Sequence, residues 1–501
     1  MAKAEGFEGL VLRRALLSRL LILTLILLWR LLFRPYDTSA SLNPSCLSAA
    51  GGRSLSAGPI LWPRIGAAIE ASVVWDGVYF VRIAECGYEY EQTYAFFPLL
   101  PLCISLLSRS VFAPLVPMIG SRAVLALSGY VLNNVAFLFA AVYFYRLSVL
   151  ILKDPAAAFR ASILFCFNPA SVFYSSIYTE SLYALFSLGG LYYLFSGATT
   201  VAMLLLALSG SARSNGVLNA GYFCFQAMQH AYDAIIQKKR PILAGHAVIG
   251  GVARSICIFV PFLAFQAYGY SNICLGGFSY ELRPWCKARI PNLYGFLQNH
   301  YWGVGFLRYF QVKQLPNFLL ASPILSLAIC SIIHYASVLL QVFRSLDAHD
   351  HNSFAALLSL LGTNEISDAV GVSKNNLSSK TFQEHTVRRR KQERKNKSTE
   401  SFQHLMATDH ALLQSTQGYP SILVFPFILH LAFLTFTALF VMHVQVSTRF
   451  LSASPPIYWF ASCMLVSPRS TSRRWGYFIW VYFITFVLLG SLLFSNFYPF
   501  T

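Results

Sequence analysis

Acidic side chains gather in one apolar stretch, SVVWDGVYFVRIAECGYEYEQ, residues 72–92. A helix over 73–85, at about 100° per residue, carries Asp76 as the only charge on its apolar half. Arg82 and Glu85 fall on the other half. At membrane depth a charge on the apolar half costs about 2.5–3.5 kcal/mol. Asp76 is therefore a candidate for acid–base chemistry, and a helix-capping or structural aspartate is the alternative.

The composition is that of a membrane protein. Of the 501 residues, 56% are hydrophobic and 12% are charged, and the mean hydropathy is +0.54. Soluble domains are about 25% charged. The apolar run 15–33 is about long enough to span a bilayer and ends in bulky residues, which favours a retained first span over a cleaved signal peptide.

Further apolar stretches continue along the chain. They predict an all-α polytopic membrane protein with about eleven transmembrane helices. The predicted spans are 15–33, 123–146, 160–178, 180–196, 201–214, 217–236, 246–270, 317–343, 421–442, 451–467 and 476–495. Prolines in and after the segment 96–108 indicate a re-entrant or surface-lying piece instead.

Basic residues set the predicted orientation, because cytosolic loops carry an excess of Lys and Arg. Their distribution places the N-terminus in the cytosol and makes 34–122 a long first lumenal loop carrying surface helices. The loops 271–316 and 443–450 are lumenal as well. This topology divides the chain into an N-terminal transmembrane region at 1–343, a polar basic cytosolic loop at 344–420 that we expect to be poorly ordered, and C-terminal transmembrane helices at 421–501.

The net charge of +18 comes in large part from the run RRRKQERKNK at 388–397. No nucleic-acid-binding motif accompanies it, so we expect no nucleic-acid partner. A solvated cytosolic loop is the favoured interpretation, and contact with anionic lipid is the alternative. Two glycosylation sequons, at Asn376 and Asn396, lie in the same loop and should stay unmodified in the cytosol.

Ten cysteines are scattered along the chain without a CxxC pair or the Cys/His spacing of a zinc site. Most lie in or beside apolar segments and are expected in the core. Cys274 and Cys286 share one predicted lumenal loop, where a disulfide can form.

Four strings of the sequence carry a resemblance to a known family. They are WDGVYFVRIAECGYEYEQTYAFFPLLP (75–101), FNPASVFYSSIYTESLYAL (167–185), ARSNG (212–216) and HVQVSTRFLSASPPIYWF (443–460). These strings are similar to those of the PIG-V family of GPI mannosyltransferases. With the matching order of spans, the resemblance covers nearly the whole chain except 344–420.

The resemblance implies a GT-C-type glycosyltransferase of the endoplasmic reticulum membrane with a lumenal active site. The implied reaction moves mannose from dolichyl-phosphate-mannose, in α1,6 linkage, to the first mannose of mannosyl-glucosaminyl-acyl-phosphatidylinositol. It adds the second mannose of a glycosylphosphatidylinositol (GPI) precursor. The family pattern places an essential Trp-Asp pair in the first lumenal loop, and the matching residues are Trp75 and Asp76.

An α-linked product from a β-linked donor implies inversion by a single displacement, with one base at the acceptor hydroxyl. We predict that Asp76 is this base. Trp75 packs the helix or stacks on a sugar. Glu85, Glu89 and Glu91 are rival bases or ligands for acceptor hydroxyls and the glucosamine amine, and solvated loop acids are the alternative.

The leaving phosphate needs a cation or several hydrogen-bond donors. Arg449, with His443 and Gln445 in HVQVSTR, is predicted at the lumenal mouth between two spans and is a candidate for binding this phosphate. An arginine reaching to the membrane interface is the alternative. Arg82 and Arg213 are further candidates.

Glu180 follows Tyr178 and Thr179 at a span boundary. An unpaired glutamate is costly there, so we expect a partner, Arg82 or Arg213, and count Glu180 among the substrate-binding candidates.

We expect no metal and no cofactor beyond the donor substrate. The sequence has no DxD-like pair and neither GxGxxG nor GxxxxGK[ST]. A small membrane partner subunit is left open. The rival functions are a polytopic transporter of a lipid or sugar, which predicts charges deep in several helices, and a non-catalytic subunit of a glycosyltransferase complex.

Overall fold

The computed structural model describes residues 2–36, 46–47, 60–275, 283–347, 422–467 and 470–498. Across these ranges the regular structure is helical throughout. The α-helices are α1 (Ala2–Leu32), α2 (Pro63–Ala71), α3 (Asp76–Cys86), α4 (Leu99–Arg109), α5 (Val116–Ile119), α6 (Ser121–Leu152), α7 (Pro155–Cys166), α8 (Ser171–Ser175), α9 (Glu180–Phe195), α10 (Thr199–Ala212), α11 (Ala220–Tyr232), α12 (Pro241–Tyr270), α13 (Leu293–Trp302), α14 (Leu315–Asp347), α15 (Phe425–Phe440), α16 (Ser447–Leu451), α17 (Pro455–Val466) and α18 (Ser470–Ser495).

The chain divides into two compact units. The first comprises Met1–Ala336 and Leu423–Thr501 and contains every contact described below. The second comprises Ser337–Ile422. The basic run and both sequons of the predicted cytosolic loop lie outside the described residues.

Five of the described helices are long and apolar enough to cross a membrane, which confirms a multi-pass membrane protein. They contain Gly6–Leu32, Ser121–Leu152, Pro241–Leu275, Val312–Gln341 and Arg473–Ser495. Leu99–Arg109 and Ala113–Ile119 form a pair of helices bent by 67°, and they add a sixth span if the pair counts as one. The first helix of the pair lies in the segment that we predicted to be re-entrant or surface-lying. The predicted count of about eleven is not confirmed, because segments such as α7 and α10 form helices of 12 and 14 residues.

The predicted span 160–178 is wrong as one helix. α7 ends at Cys166, and Asn168 turns the chain: its amide donates to the Phe165 carbonyl at 2.8 Å and its side-chain oxygen accepts the Ala170 N–H at 2.8 Å. Pro169 has no N–H with which to continue the helix. The chain then reaches α9 through the short α8 and an irregular turn, which leaves Tyr178 and Thr179 to line a cavity.

Arg19 of α1 fixes this interruption. It is 2% exposed and donates to the Ser171 carbonyl and the Ser175 hydroxyl, each at 3.0 Å, and to the Cys166 carbonyl at 3.1 Å. Its guanidinium lies 3.8 Å from the centre of the Phe137 ring. These contacts satisfy carbonyls at the helix end, which the break would otherwise leave without partners.

Aromatic packing holds the central helices together. Phe144 of α6 stacks on Phe165 of α7 at 4.7 Å, and Tyr458 of α17 packs edge-on against both rings at 5.5 Å. The Trp459 indole donates to the Ser148 hydroxyl at 2.8 Å inside the same core. This core gives the cavity described below a rigid base.

Two disulfides join segments at or beyond the ends of these spans. Cys274 pairs with Cys286, a disulfide that their shared loop allowed but the sequence did not decide, and Cys46 pairs with Cys86, although we expected these two cysteines in the core. Glu91 accepts hydrogen bonds from the Trp285 indole at 2.9 Å and the Tyr301 hydroxyl at 2.8 Å. These bonds tie the segment that contains α13 to the first predicted lumenal loop.

Candidate active site

Asp76 is the first residue of α3, so the helix predicted over 73–85 begins three residues late. The reason is Trp75, which has a φ of 53°, a left-handed conformation that costs a bulky residue about 1–3 kcal/mol. The Trp75 indole donates to the Phe494 carbonyl at 3.1 Å and packs on Phe497. The turn thus anchors Trp75 on the C-terminal segment, while Asp76 lines a cavity.

Arg449 of α16 reaches Asp76 from the far end of the sequence. Its Nη1 donates to Asp76 Oδ2 at 3.1 Å, and its guanidinium lies 5.4 Å from the centres of the Phe173 and Tyr178 rings. Burial lowers the pKa of Arg449, but the charges of Asp76 and Glu180 outweigh burial and leave the pKa above its usual value. Arg449 therefore keeps its positive charge beside the carboxylate.

The backbone N–H of Asp76 donates to the Tyr178 hydroxyl at 3.1 Å. The Asp76 side chain is 35% exposed. Among the described residues, none donates a hydrogen bond to its Oδ1. One carboxylate oxygen is thus held by Arg449, and the other can meet a ligand.

Glu180 forms a second ion pair beside the first. Its side chain is 2% exposed, its Oε1 pairs with Arg213, and the same oxygen lies 3.9 Å from Nε of Arg449. The prediction that Glu180 pairs with Arg82 or Arg213 is confirmed for Arg213. As the first residue of α9, Glu180 also lies at the positive end of a helix. Within the described part of the chain, Glu180 Oε2 and Arg449 Nε are buried without a hydrogen-bond partner.

A 3₁₀ segment, Ser214–Asn219, continues the chain from Arg213. The Asn219 amide donates to the hydroxyls of Ser187 and Ser209, each at 3.0 Å, which fixes the far end of the segment on α9 and α10. Gly216 lies so close to α10 that a Cβ would overlap the backbone of Ser209. Only glycine allows this approach, and the approach holds Asn215 at the cavity wall.

These charges line one cavity of about 220 Å³. Five predicted site residues line it: Asp76, Glu180, Arg213, His443 and Arg449. Residues that we did not single out as site candidates also line it, among them Tyr178, Asn215, Tyr294, Gln298 and Trp302. Tyr178 and Asn215 fall inside two of the strings that carried the family resemblance. The others lie in and around α13, a segment that no motif marked.

The remaining acids of the first loop lie outside the described cavity lining, contrary to their prediction as bases or substrate ligands. Glu89 pairs with Arg82 at 2.7 Å, and Glu85 pairs with Arg122 at 3.1 Å. Arg82, held by Glu89, is likewise not at the cavity. Glu91 is occupied by the Trp285 and Tyr301 contacts and by Arg283 at 3.4 Å. Each of these three carboxylates is bound by other side chains of the protein, and these contacts stabilise the loop.

Three other predicted residues need correction. Trp75 packs at a tilt against the Phe497 ring and is not part of the cavity lining. Gln445 accepts a hydrogen bond from the Tyr309 hydroxyl and also lies off the lining. His443 does line the cavity, but its Nε2 is 2.6 Å from the Trp302 carbonyl oxygen, so that nitrogen is engaged by the backbone.

One described group of side chains has metal-ligand spacing: Cys46, Glu85 and Cys86. The two cysteines form a disulfide and offer no thiolate. The cavity itself combines two carboxylates with two guanidinium groups, a set suited to proton acceptance and anion binding. The expectation of no metal stays a prediction.

The fold and the site together define a multi-pass membrane protein whose polar cavity joins carboxylates to arginines. A family model described as mannosyltransferase (PIG-V) matches residues 7–501. The chain belongs to this family and is a glycosyltransferase.

Curated relatives agree with this assignment. The chain is similar to GPI alpha-1,6-mannosyltransferase 2 of Homo sapiens, with 28% identity across 85% of this chain and 87% of the relative. It is also similar to GPI mannosyltransferase 2 of Drosophila melanogaster, with 29% identity across 85% and 86%, and of Aspergillus oryzae, with 32% identity across 58% and 66%. No solved structure matches the chain.

Proposed function

We propose that this mannosyltransferase adds the second mannose to a GPI anchor precursor. It takes mannose from dolichyl-phosphate-mannose and attaches it in α1,6 linkage to the first mannose of mannosyl-glucosaminyl-acyl-phosphatidylinositol. The names of both relatives support a GPI acceptor, and the name of the human relative supports the α1,6 linkage. The reaction is an inverting single displacement on the lumenal side of the endoplasmic reticulum membrane.

The contact between Asp76 and Arg449 carries this proposal. A sugar hydroxyl is a weak nucleophile near neutral pH, so its proton must pass to a base as the new bond forms. Arg449 holds Asp76 Oδ2 at 3.1 Å, which fixes the carboxylate and leaves Oδ1 to accept the proton of the acceptor 6-hydroxyl. Asp76 is the base.

The arginines of the cavity suit the other half of the reaction. As the sugar leaves, the dolichyl phosphate gains negative charge, and fixed cations stabilise that charge. Arg213 and Arg449 lie on the same cavity, with side chains 14% and 19% exposed. The cavity balances two acids with two arginines, so a donor phosphate meets guanidinium groups that ion pairs already hold in position.

The disulfides support a lumenal site. Helix α3 begins at Asp76 and ends at Cys86, which forms a disulfide with Cys46. A structural disulfide of this kind forms in an oxidising compartment. α3 has 11 residues and so extends about 16 Å, much less than the bilayer core. Asp76 and the disulfide are therefore on the same side of the membrane, which we assign to the lumen.

The test uses microsomes that lack the endogenous activity, supplied with labelled dolichyl-phosphate-mannose and the one-mannose GPI precursor. Wild type should form the two-mannose product, and Asp76→Asn at equal expression should lose about 10²–10⁴-fold in rate. Glu85→Gln is the matched control, because it removes an acid from the same helix but outside the cavity. It should keep the wild-type rate.

Three outcomes would count against the proposal. Normal transfer by Asp76→Asn would make the aspartate structural and move the base elsewhere. Equal losses in Asp76→Asn and Glu85→Gln would mean that both variants damage folding. An inactive wild type would favour the transporter or the non-catalytic subunit.

A further inference from the structure

A second cavity lies between α11, α12 and α15. Its volume is about 400 Å³ and its wall is almost entirely apolar, formed by residues such as Val217, Leu218, Phe225, Phe259, Leu429 and Phe433. Leu429 and Phe433 are about half exposed, at 49% and 53%. The cavity is therefore open to the apolar surroundings of the helices, as a site for a hydrocarbon chain must be.

The apolar cavity and the catalytic cavity share one short segment of backbone in their walls. The 3₁₀ segment Ser214–Asn219 contributes Ser214 and Asn215 to the catalytic cavity and Val217 and Leu218 to the apolar one. Such a segment rises about 2 Å per residue, so Asn215 and Val217 are about 4 Å apart along it. A ligand whose polar group lies at Arg213 can therefore contact the apolar wall within a few bonds of that group.

We propose that the apolar cavity holds the first part of the polyprenyl chain of the mannosyl donor, and that Arg213 contacts the donor phosphate. This rests on the proposed function, because it presumes a lipid-phosphate donor. The donor has the required shape: its hydrocarbon chain begins at the phosphate that leaves the reacting sugar. Arg449 then remains with Asp76 at the acceptor end of the site.

The acceptor lipid does not have this shape. Glucosamine and inositol separate its reacting mannose from the lipid phosphate, and its hydrocarbon chains attach at or beyond the inositol. Because two sugar-like rings separate these chains from the reacting mannose, they lie much farther from Arg213 than the first part of the donor chain does. The short step between the two cavities therefore selects the donor chain.

Gly221 offers a way to fill the cavity. It lines the apolar wall on α11, and a Cβ built there meets no atom within 4 Å. Gly221→Leu should thus fold normally and occupy space that the chain needs. Gly245→Leu on α12 is the matched control, because Gly245 is also exposed and open but does not line the cavity.

The expected result is a rise of about tenfold in the KM for dolichyl-phosphate-mannose in Gly221→Leu, the effect of displacing roughly two buried methylene groups. The KM for the GPI precursor should stay at the wild-type value. Gly245→Leu should change neither constant. An unchanged donor KM in Gly221→Leu, or a rise confined to the acceptor KM, overturns the proposal.

A binding measurement separates this proposal from the proposed reaction, because it needs no turnover. A photoactivatable polyprenyl phosphate should label α11 in purified wild type and Gly245→Leu, and the labelling should fall about tenfold in Gly221→Leu. Excess dolichyl phosphate should compete, whereas phosphatidylinositol should not. Competition by phosphatidylinositol, or equal labelling of all three proteins, would mean that ordinary membrane lipid fills the cavity.

Discussion

Two groups of charged residues in this molecule show how similar side chains take different tasks. Near α3, Arg82 pairs with Glu89, seven residues away. In the cavity, Asp76 pairs with Arg449, 373 residues away. Burial does not separate the groups, since the side chains of Glu89 and Glu180 are both 2% exposed.

The difference is in what each pair leaves available. Both oxygens of Glu89 accept hydrogen bonds, one from the Leu47 N–H and one from Arg82. In the cavity, Glu180 Oε2 and Arg449 Nε have no hydrogen-bond partner among the described residues. Charged groups whose hydrogen bonds are all made within the protein stabilise a loop, whereas a site for a polar substrate must leave some polar atoms free to bind that substrate.

Among the changes that compare the two groups of charges, replacing the cavity arginine Arg449 by glutamine should have the largest effect. Arg449→Gln removes the cation beside Asp76 and should lower kcat by about 10²–10³-fold, as the loss of a preorganised charge does. Arg122→Gln, which breaks the Glu85 pair outside the cavity, should change kcat less than about threefold. Transfer rates in microsomes check both.

Equal losses in Arg449→Gln and Arg122→Gln would remove the distinction between the two groups of charges. So would a wild-type kcat in Arg449→Gln.

Glu180→Gln should have the next largest effect on the rate and a clear effect on stability. It leaves Arg213 without a buried counter-charge, which costs about 3–5 kcal/mol of unfolding free energy. Turnover should fall about tenfold or more, because the arginines lose their alignment. The matched control is Glu8→Gln, whose pair with Arg146 is much less buried, with the Glu8 side chain 32% exposed, and should contribute less than about 1 kcal/mol.

Thermal unfolding of the purified proteins in detergent measures the stability difference. A midpoint for Glu180→Gln as high as that of Glu8→Gln would show that the buried pair is not structural.

The smallest effect should follow from Glu91→Ala. This change leaves the Trp285 indole and the Tyr301 hydroxyl without their acceptor and loosens α13, which carries Gln298 and Trp302 to the cavity. One unsatisfied buried donor costs about 1–3 kcal/mol, only part of which acts on the site. We expect a rise of about three- to tenfold in KM with kcat nearly unchanged, from initial rates at varied precursor. A fall in kcat alone would place Glu91 in the chemical step.

The sequence indicated the class of protein and much of the site, because both depend on local signals. Long apolar stretches predicted a multi-pass helical protein, and the WD, ARSNG and HVQVSTR strings pointed to Asp76, Arg213 and Arg449. The shared loop of Cys274 and Cys286 allowed a disulfide, and the structure decided that it forms. Hydrophobicity and short motifs are properties of neighbouring residues, so they can be read without a fold.

The tertiary structure decided which charges work together. The sequence grouped Glu85, Glu89 and Glu91 with Asp76 because they are neighbours, yet those three acids bind loop arginines and aromatic side chains. No periodicity foretold the left-handed Trp75 that turns Asp76 towards the cavity.

Long-range contacts set the rest of the site. Glu91 binds Tyr301 of α13, and α13 contributes residues to the cavity lining. Arg449 of α16 contacts Phe173 of α8, after the break that follows α7, and from there it reaches Asp76. These contacts depend on how distant segments pack, and local sequence patterns do not reveal that packing. The sequence therefore determined the kind of membrane enzyme, and the packing of its helices determined where the chemistry can occur.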